Sequence, residues 1–245
     1  MESFAVCAVE CPDSSIPVLR ELLSYDMLCE SSCSFTRMDN GTFLFSVAPS
    51  PLHWSRQMEW PWIIKNLDWS PSHRVLDIGG GYSVLKFALA KRCYLGDVVV
   101  LDNDPVNIEL SKKAIERITP DLSWKLPIRH VLGDALALPF LDNTFDRVVC
   151  VSVLEHLPNG HLQGVQEAVR VLKPGGRLLL TMDVVVDGVG KGNFFVNQDL
   201  ALEVCQSLGI PGVTADKVKG MAVTHIKDFD VWICVVMICY FKPMV

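Results

Sequence analysis

The stretch from His73 to Arg92 constrains the fold of this 245-residue chain more than any other. It begins with the apolar run Val75-Leu76-Asp77-Ile78, which is typical of a strand buried in a parallel sheet. Three glycines, Gly79 to Gly81, follow, and the next residues place apolar side chains on one helical face with two cations at the end. The sequence therefore predicts a strand, a tight turn and a helix whose N-terminal amides face a ligand.

The spacing of the glycines selects among nucleotide-binding motifs. A dinucleotide fingerprint that begins at Gly79 needs glycine at position 84, where the chain has Val84, and no phosphate-binding G-x-x-x-x-G-K-[ST] is present. The pattern that remains is Asp77-x-Gly79-x-Gly81. It resembles motif I, D-x-G-x-G-x-G, of the class I S-adenosylmethionine-dependent methyltransferases, with Ser83 at the position of the last glycine. Serine keeps the backbone N–H and can cap the helix.

A second apolar strand, Asp97 to Asp102, ends in a carboxylate. Asp102 follows the glycines at about the distance at which a Rossmann-type fold holds the ribose hydroxyls, and a carboxylate accepts two donors at once. The alternative role is a helix cap, because Asp102, Asn103 and Asp104 precede Pro105. We expect Asp102 to bind ribose and Asn103 or Asp104 to cap the helix, with Asn103 also in the cofactor-binding set.

A third unit runs from Ile128 to Leu132 and on to Asp134 and Ala135. In the family that this chain resembles, an acid at this point faces the adenine amino group and the next backbone N–H meets a ring nitrogen. The resemblance implies these roles for Asp134 and Ala135, and the alternative is an aspartate in a solvated loop. Leu-Glu-His-Leu and Leu-Lys-Pro-Gly-Gly follow in the order of the family's small-molecule, methyltransferase-11-like branch.

The strand Phe145 to Val151 leads into Ser152, Glu155 and His156. The chain lacks the Asn/Asp-Pro-Pro-Tyr/Phe motif of enzymes that methylate adenine or amides, which disfavours that subclass. His156 is the candidate general base because imidazole titrates near neutrality, and Glu155 would orient it or hold a substrate amine. The alternative is that both residues cap or pack under the next helix. Ser152 belongs to the cofactor-binding set, and it replaces the first ligand of a Glu-x-x-Glu-His site, so no metal is expected.

Residues 1–70 are expected to form an extension of helices and a β-hairpin that helps to close the site. Ser14 or Ser15 can cap a short helix, Phe35 to Val47 predicts a hairpin about an Asn40-Gly41 turn, and Pro61 marks a kink or the start of a second helix. In related methyltransferases a basic side chain in this region lies near the methionine carboxylate, a role that Arg56 could take. The alternative is an ion pair between Arg56 and Glu59.

These patterns together predict an α/β fold, a Rossmann-like doubly wound sheet of seven strands, mostly parallel with a C-terminal antiparallel strand. Residues 71–245 would form the S-adenosylmethionine-binding domain. Met221 to Ile226 and Val231 to Phe241 predict its terminal hairpin, in which the last strand runs antiparallel. The glycine-rich segment Asp187 to Phe195 is a substrate lid or a plain surface loop.

Composition limits the partners of the chain. A formal net charge of -6 leaves no broad basic surface for a nucleic acid, and the longest apolar run, Val231 to Phe241, is too short to span a membrane as a helix. Nine cysteines include Cys7 with Cys11 and Cys29 with Cys33, which could hold a metal, although reduced thiols are the simpler reading. We expect a cytoplasmic protein.

The predicted function is methyl transfer from S-adenosylmethionine to oxygen, nitrogen or carbon of a small molecule, with S-adenosylhomocysteine as the product. The first alternative is a non-catalytic binding module that keeps the fold, which Ser83 supports. A nicotinamide oxidoreductase is opposed by Val84. The sequence does not specify the substrate, the methylated atom or the oligomeric state.

Overall fold

The computed structural model describes residues 4–8, 33–37, 43–47, 50–51, 56–81, 83–118, 126–157, 159–187, 196–211, 224–226 and 231–244. It contains two compact units, one of residues 11–133 and one of residues 1–10 with 134–245. The predicted helix near Ser14, the Asn40-Gly41 turn and residues 188–195 of the candidate lid lie outside the described residues. The predicted domain boundary between residues 70 and 71 stays a prediction.

Strands and helices alternate through most of the chain. In chain order they are β1 (Phe4–Ala8), β2 (Cys33–Arg37), β3 (Phe43–Val47), β4 (Ser50–Pro51), α1 (Arg56–Asn66), β5 (Arg74–Ile78), α2 (Leu85–Arg92), β6 (Asp97–Asp102), α3 (Pro105–Ile118), β7 (Ile128–Leu132), β8 (Phe145–Val151), α4 (His161–Val171), β9 (Leu172–Asp187), β10 (Val196–Asn197), α5 (Gln198–Ser207), β11 (Thr224–Ile226) and β12 (Val231–Phe241). A 3₁₀ turn, Leu154–His156, lies between β8 and α4.

In the unit of residues 11–133, β5, β6 and β7 form a parallel ladder. β5 pairs with β6 up to Ile78 and Leu101, and β6 pairs with β7 up to Asp102 and Leu132. β5 and β6 are almost wholly buried, as their runs of apolar and β-branched residues predict. Because the strands are parallel, their carboxyl ends meet at one edge, and this edge carries both the glycine turn and Asp102.

The same unit contains a small antiparallel sheet of β2, β3 and β4. β2 pairs with β3 from Cys33–Val47 to Arg37–Phe43, which confirms the predicted hairpin. Helix α1 includes Pro61 in its interior, so the prediction that a second helix begins there is wrong. Proline removes one backbone hydrogen bond from the helix, but burial of Trp60, Ile63 and Ile64 holds both sides of that position in one helix.

In the other unit, β8 and β9 are parallel and β12 runs antiparallel to β9. β11 and β12 form a hairpin, with Thr224 opposite Ile233 and Ile226 opposite Val231. The predicted C-terminal hairpin with its antiparallel last strand is therefore confirmed. The mostly parallel α/β architecture is confirmed as well, whereas the predicted count of seven strands stays a prediction.

Two features of this unit differ from the sequence-based prediction. β1 was not predicted, although its residues are an apolar run, and it pairs antiparallel with β12. β9 begins at Leu172 rather than after the glycines: Phe145 pairs with Leu172 and Arg147 with Arg177, so the segment between them is a bulge within the strand. Gly175 in that bulge has a φ of 75°, which explains why the pattern indicated a turn.

Candidate active site

The glycine turn is anchored on the end of β6. The amides of Gly79 and Gly80 donate to the carbonyl oxygen of Leu101 at 2.7 and 3.3 Å. Gly79 and Gly81 have φ values of 65° and 47°, which residues with a side chain rarely adopt. The amide of Ser83 donates to the carbonyl oxygen of Gly80 at 3.0 Å and closes the turn.

Helix α2 begins without a side-chain cap. Its N-cap is Val84, and no side chain accepts a hydrogen bond there, so the predicted cap by Ser83 is wrong. Ser83 lies one position too early, and its carbonyl oxygen accepts a hydrogen bond from Nζ of Lys86. The first turn of α2 also contains no acidic residue. The positive end of this helix therefore has no negative partner within the helix itself.

Asp77 lies directly beneath the turn. Its side chain is 1% exposed, and Oδ2 has no hydrogen-bond partner in the described part of the chain. Burial raises the pKa of Asp77 to about 7; the Lys86 ammonium acts in the opposite direction, Asp102 raises the pKa further and Arg56 lowers it. A β-carbon at residue 80 would overlap Oδ2 and lie 2.6 Å from Cγ, so only glycine fits above this carboxyl group.

The sequence reasoning missed Lys86 as a functional residue. Its side chain is fully buried, its Nζ donates to the carbonyl of Ser83, and it lies 5.2 Å from the centroid of the Phe87 ring. Lysine is almost never fully buried unless it is paired. The sequence contained one signal for this residue: a lysine between Leu85 and Phe87, among the apolar residues of α2. A cation on the buried face of a helix indicates a role other than packing.

Arg56 pairs with Glu59, as the alternative interpretation held. Its Nη1 donates to Oε2 of Glu59, whose side chain is fully buried. Arg56 is also close enough to Asp77 to lower the pKa of that carboxyl group. The cofactor-carboxylate role of Arg56 stays a prediction.

Asp102 is buried, and its two carboxylate oxygens have different surroundings. Its Oδ1 accepts hydrogen bonds from the amide of Asp104 at 2.9 Å and from Nδ2 of Asn107 at 3.2 Å. Its Oδ2 would lie 3.2 Å from a β-carbon at Gly81, so this oxygen points toward the glycine turn. Asp104 caps α3, because its Oδ1 accepts from the amide of Val106 at 2.8 Å. Asn103 is exposed, and its cofactor-binding role stays a prediction.

In the other unit, Asp134 lies in an exposed turn. Its Oδ1 accepts from the amide of Leu136 at 2.8 Å, which is the geometry of the solvated loop that the alternative interpretation described. Ala135 beside it is buried. Two α4 residues fix the rest of this loop: Glu167 accepts from the amide of Leu138 at 2.8 Å, and Arg170 donates to the carbonyls of Leu138 and Phe140 at 3.0 and 2.8 Å.

Ser152, Glu155 and His156 follow the carboxyl end of β8. Ser152 is buried with a φ of 48°, and its amide donates to the carbonyl oxygen of Thr181 at 3.0 Å. Such a conformation stores strain, a frequent property of functional positions. Glu155 is buried, and its Oε1 accepts from the amide of Asp183 at 3.1 Å. His156 is exposed, so the structure separates a fixed carboxylate from an imidazole that reaches solvent.

Comparison with known proteins assigns this arrangement to a family. Residues 76–180 match the family model described as a methyltransferase domain. This segment contains the glycine turn, Asp102, Asp134 and the Ser152–His156 turn. Residues 76–180, fewer than half of the chain, are therefore similar to methyltransferase domains. The parallel pairing of β5, β6 and β7 and the antiparallel last strand are those that the sequence resemblance implied.

About half of the chain is similar to methyltransferases whose names refer to ubiquinone and menaquinone biosynthesis and to a hydroquinone. It is 38% identical over 124 residues to the ubiquinone/menaquinone biosynthesis C-methyltransferase UbiE of Ruegeria sp. (strain TM1040), a match that covers 49% of this chain and 47% of that protein. It is 33% identical over 129 residues to the chloroplastic 2-methyl-6-phytyl-1,4-hydroquinone methyltransferase 2 of Oryza sativa subsp. japonica, covering 52% and 34%. The chain therefore matches about half or less of the length of these relatives.

A solved structure extends the likeness of the fold to nearly the whole chain. The [4+2]-cyclase SpnF superposes with a TM-score of 0.58 over 97% of this chain and 100% of its own, at 15% identity. At that identity the likeness concerns the fold alone. The name of this neighbour shows that one fold hosts more than one reaction.

The described residues contain neither a candidate metal site nor a candidate membrane-spanning helix. No group of three or more His, Cys, Asp or Glu side chains there is placed to hold a metal ion. Of the cysteines that could form an N-terminal metal site, Cys11 and Cys29 lie outside the described residues. No helix in the described part of the chain is long and apolar enough to cross a membrane.

Proposed function

We propose that the methyltransferase domain binds S-adenosylmethionine and transfers its methyl group to a small molecule. The observation that carries this proposal is the match of residues 76–180 to the methyltransferase family, with Asp77, the glycine turn and Asp102 at one end of the parallel strands. When bound, the cofactor supplies an electrophilic methyl group on a sulfonium. The protein has to hold the cofactor, align the acceptor and remove a proton.

The residues of the glycine turn fit this cofactor. Oδ2 of Asp77 is a buried acceptor with no hydrogen-bond partner among the described residues. Of the two carboxylate oxygens of Asp102, Oδ2 is the one that points toward the glycine turn. A carboxylate accepts both vicinal hydroxyls of a ribose, so Asp102 is proposed to hold the ribose. Asp77 is proposed to accept from the cofactor's ammonium group. Asp134 and Ala135 are proposed to recognise adenine.

We assign different roles to His156 and Glu155, the two candidate acid–base residues. His156 is proposed to remove the acceptor proton, because its exposed imidazole can exchange protons with solvent. Glu155, which holds the amide of Asp183, is proposed to fix the position of this turn rather than to take the proton. Ser152 is proposed to contact the cofactor. Its strained backbone, with a positive φ, supports this role, because strained positions are frequent where a ligand binds.

The proposed acceptor is a ring carbon of a hydroquinone or related phenol. Both relatives named above are methyltransferases of quinone-type compounds, and one is called a C-methyltransferase. A phenolate makes the neighbouring ring carbon nucleophilic, which suits a site with a single general base. The net charge of -6 supports a small molecule over a nucleic acid as the acceptor. A cytoplasmic location stays a prediction.

A product assay tests this function. Purified protein is incubated with S-adenosylmethionine and a panel of hydroquinones, catechols and primary amines, and S-adenosylhomocysteine release is followed with methyl transfer checked by mass. The expected result is transfer to a hydroquinone carbon that is lost in His156→Ala. Transfer only to amines would contradict the acceptor class.

A second function, a non-catalytic binding module that keeps the fold, is favoured by one observation, Ser83 at the position of the last motif glycine. In that case the domain would bind the cofactor without methyl transfer. Tight binding of S-adenosylmethionine without S-adenosylhomocysteine formation across the panel would support this alternative over the first.

A further inference from the structure

Lys86 occupies a position that is unfavourable for helix α2 by itself. It lies in the first turn of an eight-residue helix, where the helix dipole repels a cation, and its side chain is fully buried. Nothing in the first turn of α2 offsets this charge, because that turn has no acidic residue. A buried cation at the wrong end of a helix therefore calls for a reason outside the helix.

The surroundings of Lys86 supply that reason. Its Nζ donates to the carbonyl oxygen of Ser83, which belongs to the glycine turn, and the Phe87 ring lies 5.2 Å away. Its charge also acts on Asp77, the carboxyl group beneath the same turn, against the effect of burial. Lys86 thus connects to both parts of the turn that a ligand would meet, its backbone and its buried acid.

Three charged side chains act electrostatically on the pKa of Asp77, each from a different element. They are Lys86 on α2, Asp102 on β6 and Arg56 on α1, the last of which is paired with Glu59. Lys86 exerts the larger effect of the two cations. Its loss would leave Asp77 with Asp102, which disfavours the charged form, and with an arginine that is already engaged.

We propose that Lys86 is a positioning residue that favours the carboxylate form of Asp77 and fixes the Ser83 carbonyl, so that the glycine turn offers an acceptor to the cofactor's ammonium group. A protonated Asp77 would lose its negative charge and part of its acceptor capacity, so it would bind an ammonium group more weakly than the carboxylate does. The ammonium part of this inference rests on the proposed function. The link between Lys86 and Asp77 does not, because it concerns the ligand-free protein.

The link is tested first without any ligand. The Asp77 carboxyl carbon is followed by ¹³C NMR from pH 5 to pH 9 in wild type, Lys86→Met and Lys86→Gln, with thermal unfolding of each variant to establish folding. Lys91→Met is the matched control, because Lys91 is exposed on the same helix. The expected result is a titration midpoint that moves to higher pH in both Lys86 variants and not in the control. A midpoint unchanged in the Lys86 variants would overturn the link.

The consequence for binding is tested with S-adenosylhomocysteine. The ratio of its dissociation constants in Lys86→Met and wild type is measured from pH 6 to pH 8.5, which cancels the titration of the ligand itself. We expect a ratio of about ten at pH 7 that falls toward one at pH 8.5, where Asp77 ionises without help. In an Asp77→Asn background, Lys86→Met is expected to change the affinity little.

The outcomes separate the two claims. A ratio that stays constant with pH would show that Lys86 is only a structural counter-ion and would overturn the positioning role. Lys86→Gln, which can still donate to Ser83, is expected to follow Lys86→Met, since the charge is what matters. If wild type binds no S-adenosylhomocysteine at any pH, the proposed function and its ammonium site are overturned, while the NMR midpoint still decides the link between Lys86 and Asp77.

Discussion

The carboxyl group of Asp77 lies in van der Waals contact range of Gly80, with no room between them for a side chain. A β-carbon at residue 80 would overlap Oδ2 and stand 2.6 Å from Cγ of Asp77 and 3.0 Å from Cγ1 of Val100. Asp77 and Val100 are both buried strand residues, so neither can move aside freely. The glycine turn and the acid of motif I therefore form one packed unit.

Gly80→Ala tests this packing. We expect it to lower the free energy of unfolding by about 2 kcal/mol and to weaken cofactor binding, because a forced overlap in a packed core displaces the turn. Gly164→Ala is the matched control: Gly164 lies inside α4, and its nearest atoms are ends of leucine side chains at 3.2 and 3.4 Å. Alanine there gains helix propensity, so stability is expected to stay equal or rise. Equal chemical-denaturation midpoints for the two variants would contradict the account.

Arg170 is expected to order the loop that follows Asp134. It donates to the carbonyls of Leu138 and Phe140 and pairs with Glu167 and Asp142, contacts that a lysine cannot reproduce together. We predict that Arg170→Lys raises amide hydrogen exchange about tenfold or more across residues 138–142 while the exchange of β5 and β6 stays as in wild type. Unchanged exchange in that loop would show that Glu167 alone suffices to hold it.

His130 is expected to remain neutral at physiological pH. Burial, Lys86 and Lys112 lower its pKa to about 4, and its Nε2 lies 2.7 Å from Oγ of Ser111. A histidine with a lowered folded-state pKa contributes stability above its unfolded pKa of about 6.5, and this contribution is lost as pH falls toward 4.

The loss of stability that His130 causes between pH 6.5 and pH 4 is expected to be about 1 kcal/mol, because the side chain is only half-buried. His130→Gln should remove this part of the pH dependence. An imidazole NMR titration midpoint near 6.5 in wild type would refute the prediction directly.

Lys242 is expected to fix the C-terminal segment after β12. Its Nζ donates to the carbonyls of Val169 and Leu172 at 2.8 and 2.6 Å and to Oδ1 of Asn143 at 2.9 Å. We predict that Lys242→Met lowers the free energy of unfolding by about 2 kcal/mol, because carbonyls at the end of α4 lose a charged donor. Lys173→Met removes only a partly exposed pair with Asp146 and should cost about 0.5 kcal/mol. The two variants are compared by thermal unfolding. An equal loss of stability in both would contradict the prediction.

The parts of the site that follow from local pattern could be predicted from the sequence. The strand, turn and helix around Gly79–Gly81 and the strand that ends in Asp102 depend on neighbouring residues, and the structure has them as predicted. The cap of α3 by Asp104 follows from the same local chemistry. The C-terminal hairpin was predictable because two apolar runs flank a short polar connection.

The parts that depend on distant contacts could not be predicted. The sequence shows a lysine between two apolar residues of α2, but the complete burial of Lys86 depends on how α2 packs, which the sequence alone does not give. The bond from the Asp183 amide to Glu155 joins residues 28 positions apart, and it changes the role expected for Glu155. The position of β1 beside β12 depends on a partner at the opposite end of the chain. In each case the local sequence is compatible with more than one structure, and contacts with distant residues determine which one forms.

Calorimetric titration with S-adenosylhomocysteine tests the central claim most directly, with wild type beside Asp102→Asn. Asparagine keeps an oxygen for the amide of Asp104 and replaces only the acceptor that points toward Gly81. Asp104→Asn, on the neighbouring helix cap, is the matched control. We predict binding by wild type and by the control, and an affinity at least about tenfold lower in Asp102→Asn at unchanged thermal stability. Equal affinity in all three proteins, or no binding by wild type, would contradict the account.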